Sequence, residues 1–333
     1  MRSDRETQIQ FFDWLKANSN SDQLVTTLEE LLSTSRDSVY RRMRGETLLS
    51  FNEISKISQH FNISLDSYLN LTTKAVTFQS RVIEGNFTFT KYLQSIAENL
   101  QMIRKFDDHE LLYMAKDIPL FYYFQFPRLA AFKLFFWSKT IVGVPEMEDK
   151  LFDLSEISDE MLSQSKSIWH QFEQIPSTEI WSNETINISI SQINYYLESH
   201  ILSESDARII VQEFKELMDH IKVQAAHGKK FTQGTDPKLA SEKGKFLLYF
   251  NEVEIGDNTI LFKMNEQRIV FKPFNTLNTI STTDPDFCQQ TETYFYRVIS
   301  KSTPLSNSSE KERLRFFNRI QLKIKELERK VGL

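Results

Sequence analysis

The chain has 333 residues, 40% of them hydrophobic and 26% charged, the composition of a globular protein with a sizeable core. Its 8 Gly and 8 Pro lie well below the usual shares, which excludes collagen-like, low-complexity and turn-dense all-β chains and favours long helices. The formal net charge of −5 offers no global attraction to nucleic acid or acidic membrane, so any nucleic-acid contact must come from a local patch.

At roughly 150 residues per domain this length makes two to three domains. The single cysteine, Cys288, excludes an internal disulfide framework and a Cys-based zinc site, and it points to a reducing compartment. The opening MRSDRETQIQ has no apolar stretch of a secretory signal, so a cytoplasmic protein is expected. The longest apolar region, Ile118–Val144, is interrupted by Gln125, Pro127, Arg128, Lys133, Ser138 and Lys139 and cannot serve as a membrane span.

Residues 1–75 read as a domain of five short helices. Ile9, Phe12 and Leu15, with Phe11 and Trp14, mark the first, which the polar run at Ser19–Asp22 interrupts. Leu24, Leu28, Leu31 and Leu32 mark the second. Ser35 is the expected N-cap of a third, anchored by Val39 and Met43 and stopped at Gly45. Ser50 and Glu53 form the capping-box pattern of a fourth, with Ile54, Ile57 and Phe61 inward. Ser64 opens a fifth carrying Leu65, Tyr68 and Leu69. Two helices joined by a tight turn within such a domain form a helix-turn-helix arrangement.

Residues 76–90 alternate enough for a hairpin turning at Gly85-Asn86 or for a linker. Helical spacing then recurs at Tyr92–Phe106, Glu110–Tyr123, Arg128–Trp137, Asp159–Phe172, Ile188–His200 and Ser205–Gln224, so residues 76–228 read as a helical dimerisation and sensor domain. The polar stretch 228–244 is the best linker or surface-loop candidate. Residues 245–333 read as a small α+β part: a three-stranded antiparallel meander of Phe246–Phe250, Thr259–Met264 and Ile269–Phe274, followed by helices near 286–300 and 308–330. The expected fold class is therefore mainly α.

The segment Ser33–Leu69 carries the strongest chemical signal. Its third helix holds Arg36, Arg41, Arg42 and Arg44 against one acid, Asp37. With Val39 and Met43 inward, the 100° step places Arg36, Asp37, Tyr40, Arg41 and Arg44 on the exposed side. Guanidinium groups pair bidentately with guanine edges or grip phosphates, and a helix N-terminus offers free N–H groups to a phosphate. A solvated basic helix is the plain alternative.

On LEELLSTS, SRDSVYRRMRGE and SFNEISKISQHFNISLDSYL, residues 22–70 resemble the Cro/lambda-repressor type helix-turn-helix, the xenobiotic-response-element (XRE) class of bacterial transcription regulators. The resemblance implies that Arg36, Asp37 and Arg41 read base edges, that Ser35 and Arg44 contact phosphates, and that Tyr40 lies at the groove wall. The chain departs from the pattern at Arg42, where a core apolar residue is usual, and at Met43, where a glutamate is common. The remainder, including DIPLFYYFQFPRLAAFKLFFW, resembles large regulator-like proteins of the Bacteroidetes type.

Other constellations are thin. There is no Rossmann, P-loop, HExxH or GxSxG motif, so no enzyme, cofactor or metal centre is expected. His220 and His227 lack a third ligand. Asp107-Asp108-His109-Glu110 reads as the cap of a helix start. The aromatic stretch 118–137 reads first as core and second as a ligand pocket, with Tyr122 and Phe126 as walls and Arg128 and Lys133 as charge handles; the meander is the other candidate frame for a cleft. The last helix places Leu314, Phe317, Ile320, Ile324, Leu327 and Val331 on one face. The expected function is operator binding to double-stranded DNA as a homodimer, under an unknown small-molecule or protein effector, with no membrane partner. The rival is a helical scaffold whose helix-turn-helix does not bind DNA.

Overall fold

A computed structural model of the protein describes residues 3–18, 21–61, 63, 65, 76–81, 89–252, 255–275 and 278–333. The chain divides into two compact units, Met1–Thr77 and Phe78–Leu333.

The first unit contains α1 (Asp4–Asn18), α2 (Ser21–Leu32), α3 (Arg36–Met43) and α4 (Phe51–His60). Phe11, Phe12 and Leu15 of α1, Leu24, Leu28 and Leu32 of α2, Val39 and Met43 of α3 and Ile57 of α4 form its core. The turn from α2 to α3 passes through Ser33 at φ 51°, a left-handed conformation. Ser35 caps α3 by accepting from the Ser38 N–H, and Gly45 at φ 69° ends the helix. Ser50 and Glu53 complete the capping box of α4. Gln8, buried on α1, ties the α3–α4 turn down: its Nε2 donates to the Arg42 and Thr47 carbonyls at 2.7 and 2.8 Å, and its Oε1 accepts from Leu49 N–H at 2.7 Å. The expected fifth helix lies outside the described residues except for Leu65, as do Ser19, Asn20 and the Gly85-Asn86 turn.

The second unit is organised by a mixed eight-stranded sheet, which corrects the mainly α expectation. Its strands are β1 (Gln79–Arg81), β2 (His109–Ala115), β3 (Ser177–Trp181), β4 (Phe246–Phe250), β5 (Thr259–Met264), β6 (Gln267–Asn275), β7 (Asn278–Thr282) and β8 (Thr303–Pro304), in the spatial order β1-β7-β6-β5-β2-β3-β4-β8. β2, β3 and β4 run parallel; the other pairs are antiparallel. The connection from β2 to β3 carries α6 (Pro127–Phe136) and α7 (Asp159–Phe172). That from β3 to β4 carries α8 (Asn187–Glu198) and α9 (Glu204–His227). These four helices, α5 (Phe89–Ile103) and α11 (Glu310–Lys330) pack around Leu111, Tyr113, Trp181, Phe246, Leu248 and Phe262 on one sheet face. α10 (Pro285–Ile299) covers Leu112, Met114, Ile180, Leu261 and Val270 on the other, through Cys288 and Phe295.

The three-stranded meander is not what forms. β4 pairs with β3, and both β3 and β2 stand between it and β5. The reason is burial on both faces. β2 is buried continuously from Leu111 to Ala115 and β3 throughout, so neither shows the alternation that reveals a half-exposed strand. The apolar spacing of Glu110–Tyr123, expected as helix, belongs instead to β2 and the 3₁₀ turn Leu120–Gln125. The acidic cluster at 107–110 accordingly leads into a strand rather than capping a helix. In α11, Phe316 lies inward where Leu314 was expected, and Leu314 is exposed.

The polar stretch 228–244 is a loop tied into the second unit. Lys230 N–H donates to the Gly244 carbonyl and Phe246 N–H to that of Gly228, while Lys230 and Phe231 are buried. Gly244 faces the Glu173 carbonyl so closely that a Cβ would overlap it. Gly244→Ala should therefore lower unfolding stability by about 1–3 kcal/mol in a urea titration; wild-type stability would show that this backbone approach can open freely.

Candidate nucleic-acid interface

α3 is a two-sided helix. Val39 and Met43 are buried, while Arg36, Asp37, Tyr40, Arg41 and Arg44 are exposed together with the capping Ser35. All six residues expected from the sequence to face DNA thus share the open side of one helix and its ends. The fourth arginine does not join them. Arg42 is half-buried, with Nε and Nη2 donating to Glu53 Oε1 at 3.0 and 2.8 Å and Nη1 donating to the Ser38 hydroxyl and carbonyl. A guanidinium held between α3 and α4 is accommodated where a core apolar residue was expected, because its partner carboxylate comes with it. Met43 remains inward, so the departure at these two positions leaves the outward set intact.

Glu53 has two tasks: its Oε2 accepts the Ser50 N–H at 2.8 Å as part of the capping box, and its Oε1 takes Arg42. Burial works against its ionisation, but the hydrogen bonds from Ser50 and Arg42 outweigh it and hold the carboxyl below its usual 4.5. With the folded value below the unfolded one, the stabilisation is complete above about pH 4.5 and is lost as pH falls through the folded value. Thermal melts of wild type and Glu53→Gln should therefore diverge near neutral pH, wild type higher, and converge as the pH falls below the usual carboxylate range. A gap that stays constant with pH would show that ionisation of Glu53 is not what holds α3 to α4.

On the open side, one more acid enters. Glu46, in the turn after α3, accepts from Arg44 Nε at 2.7 Å and Nη2 at 3.3 Å, and lies 3.7 Å from Arg41 Nε. The hydrogen bond between them raises the Arg44 guanidinium and lowers the Glu46 carboxyl from their ordinary values. The stretch SRDSVYRRMRGE ends on Glu46 but gave it no role; only its place directly after the stopping glycine would have drawn notice.

Three of the four residues in the second set of sequence candidates lie in packed interior. Tyr122 and Lys133 have no exposure and Phe126 has 2%. Arg128, at the N-terminus of α6, is partly exposed and pairs with Asp206 at 3.2 Å. Lys133 Nζ donates to Gln192 Oε1 at 2.7 Å and to Ser189 Oγ at 2.9 Å, and lies 3.8 Å from Asp117 and over the Tyr123 ring. The Ser189 hydroxyl in turn lies 2.6 Å from that of Tyr123. Burial pushes Lys133 down and Asp117 up, each against the pull of the other.

Tyr122 belongs to a separate network that the sequence did not reveal. Its hydroxyl donates to Glu179 on β3 at 2.8 Å, and Glu179 also accepts from Ser177 Oγ and Trp181 Nε1 at 3.0 Å. Lys230 Nζ donates to the same Ser177 hydroxyl and to the Ile175 carbonyl. Burial raises Glu179 and lowers Lys230. The Glu179 network ties crossover segments to β3, and the Lys133 network joins the β2–β3 connection to α8.

A more open concavity of about 1210 Å³ lies beyond the carboxyl end of β4, beside α10. Phe250, Asn251, Asp257, Thr259, Lys272, Tyr294 and Arg297 are among its lining residues. Among the described residues no group of three or more His, Cys, Asp or Glu is arranged to hold a metal ion, and no helix is long and apolar enough to cross a membrane. His220 Nε2 donates to the Phe231 carbonyl, 2.7 Å away, and Cys288 is a buried thiol raised by that burial. Searches of protein-family models, curated proteins and solved structures find no match to the chain.

Lys133→Ala would leave the largely buried Asp117 carboxyl without its cation and should lower unfolding free energy by about 3 kcal/mol, the low end of the cost of breaking a buried pair. Pairing Lys133→Met with Asp117→Asn should recover most of that loss in the same urea titration. A double variant as unstable as Lys133→Ala would mean that packing, not charge pairing, sets the cost.

Proposed function

We propose that the protein is a sequence-specific DNA-binding transcriptional regulator of bacterial XRE type, acting in the cytoplasm, which reads operator DNA through α3 in the major groove. The observation that supports this reading is the placement of Arg36, Asp37, Tyr40, Arg41, Arg44 and the capping Ser35 on the open side of a helix that follows α2 through a tight turn. Arg36 and Arg41 serve as base readers, and Arg44 and Ser35 as phosphate contacts. Asp37 and Tyr40 complete the contact face.

The second unit supplies dimerisation, which matches the two half-sites, about one helical turn apart, that such modules read. It also holds the seat of a small-molecule or protein effector. The cleft beside α10 suits that role better than the packed stretch 118–137, because a ligand needs space and convergent polar groups.

Selection of bound sequences from a random duplex pool should return a two-fold symmetric site. On that site Arg36→Ala and Arg41→Ala should each cost about 1–3 kcal/mol and relax preference at one position, whereas Arg44→Ala should weaken all sequences alike. Light scattering should give about twice 39.3 kDa. A pool with no enriched sequence, or arginine variants with wild-type specificity in gel-shift titrations, would overturn the reading; a monomeric mass with and without DNA would overturn the dimer.

A further inference from the structure

The open side of α3 is less basic than its arginines suggest. Arg36, Arg41 and Arg44 stand out from it, but Asp37 lies among them and Glu46 closes on two of the three. Glu46 is positioned by backbone as well as charge: its N–H donates to the Arg41 carbonyl at 2.8 Å, so the residue is pinned to the end of α3 and its carboxylate faces back along the helix. Arg44 presents Nε and Nη2 side by side to the two carboxylate oxygens, at 2.7 and 3.3 Å. This is the forked geometry with which an arginine also grips two oxygens of a phosphate. The same carboxylate stands 3.7 Å from Arg41 Nε. Both arginines remain about half exposed, so a nucleic-acid backbone can reach them only in competition with Glu46.

On the reading of α3 as a DNA-contacting helix, we infer that Glu46 is a specificity-determining residue: a carboxylate that occupies the phosphate-gripping side of Arg44 and Arg41 and is displaced when α3 docks on DNA. A phosphate arriving there must part Glu46 from the arginines and then sit near its negative charge. On random duplex, where Arg41 and Arg44 both meet only phosphates, Glu46 is parted from both and left beside them; on the selected site Arg41 turns to a base edge, so a single phosphate is set against Glu46 and the cost is smaller. A site that also engages Arg36 and Arg41 through base edges recovers it, and random duplex does not. Glu46 thus holds down sequence-independent binding, the electrostatic component that DNA phosphates otherwise grant to any basic helix. The residue contributes by subtraction, as charge repulsion does in other discriminating interfaces.

The test is Glu46→Gln in the full chain, titrated against the selected site and against random duplex over a series of salt concentrations. Each exposed ion pair that no longer has to be parted is worth a small factor, so affinity for random duplex should rise roughly three- to tenfold at low salt. The plot of log affinity against log salt should steepen by about 0.9, one further phosphate neutralised. Affinity for the selected site should rise less, so the ratio between the two falls. In an Arg41→Ala/Arg44→Ala background the same change should give no gain, because the groups it frees are gone. Melting curves of every variant establish that the fold is kept. A Glu46→Gln protein with unchanged or weaker random-duplex binding overturns the inference while leaving the regulator reading standing. A gain that survives loss of both arginines overturns it too, since a general charge effect would then suffice. If neither wild type nor variant binds any duplex, the regulator reading fails and this inference falls with it.

Discussion

A short helix with two buried residues can rotate on its neighbours unless something pins it, and in this protein the pin is the Arg42–Glu53 pair. Val39 and Met43 give α3 an inner stripe only one turn long. Arg42 lies at the edge of that stripe, where an unpaired cation would be costly. Glu53 meets it and, through its other oxygen, caps the next helix. One carboxylate therefore fixes the start of α4 and the rotation of α3 together. Gln8 fastens the turn between them from a third helix. What α3 turns outward follows from these contacts: three arginines, one aspartate, one tyrosine and the capping serine.

The second unit solves a different problem. Parallel strands joined by helical crossovers are covered on both faces, and the segments entering and leaving them carry polar groups into the interior. Glu179 stands on β3, the middle of the three parallel strands, and Asp117 just beyond the end of β2. Each is answered by a lysine from a crossover segment, Lys230 through Ser177 and Lys133 together with Ser189 and Gln192. Replacing such a pair with apolar groups is often neutral for stability, so these networks are better understood as specifying register and crossover placement than as adding to it. They also settle what the aromatic stretch does. Tyr122, Tyr123 and Phe126 are packing and hydrogen-bonding parts of this interior.

The first unit was legible because its signals are local. Ser35, Gly45 and the Ser50/Glu53 box act within a turn of the residues they mark, and the leucine spacing of α2 is set by helix geometry alone. The helices of the second unit were legible for the same reason; Ser158 and Ser203 cap two of them. The sheet was not. HELLYMA and STEIW form strands only because segments far away in sequence cover both their faces, and a strand buried on both faces loses the alternation that would announce it. The order of strands is a property of those long-range pairings and has no local trace. At the α3 face, the basic residues were evident, but the pairing of Arg42 with Glu53, eleven residues on, and the return of Glu46 onto Arg44 depend on how the α3–α4 turn folds.

The charge of the whole chain and the charge of α3 answer to different length scales. At physiological salt the screening length is about 8 Å, so acids elsewhere in a chain of net −5 do little at the open side of α3. What acts there is the local set, three arginines against Asp37 and Glu46, a surplus of one on the face itself and of two with Arg5 of α1, whose charge also reaches Glu46. Sequence-independent affinity grows with the number of phosphates neutralised, and a surplus this small limits it. Directed contacts at base edges do not depend on that surplus, since a guanidinium meeting a guanine edge gains from geometry rather than from net charge. A helix so balanced is poorly suited to coat DNA and better suited to select among sites. On the proposed reading, the acids on its face are compatible with sequence reading and do not count against it.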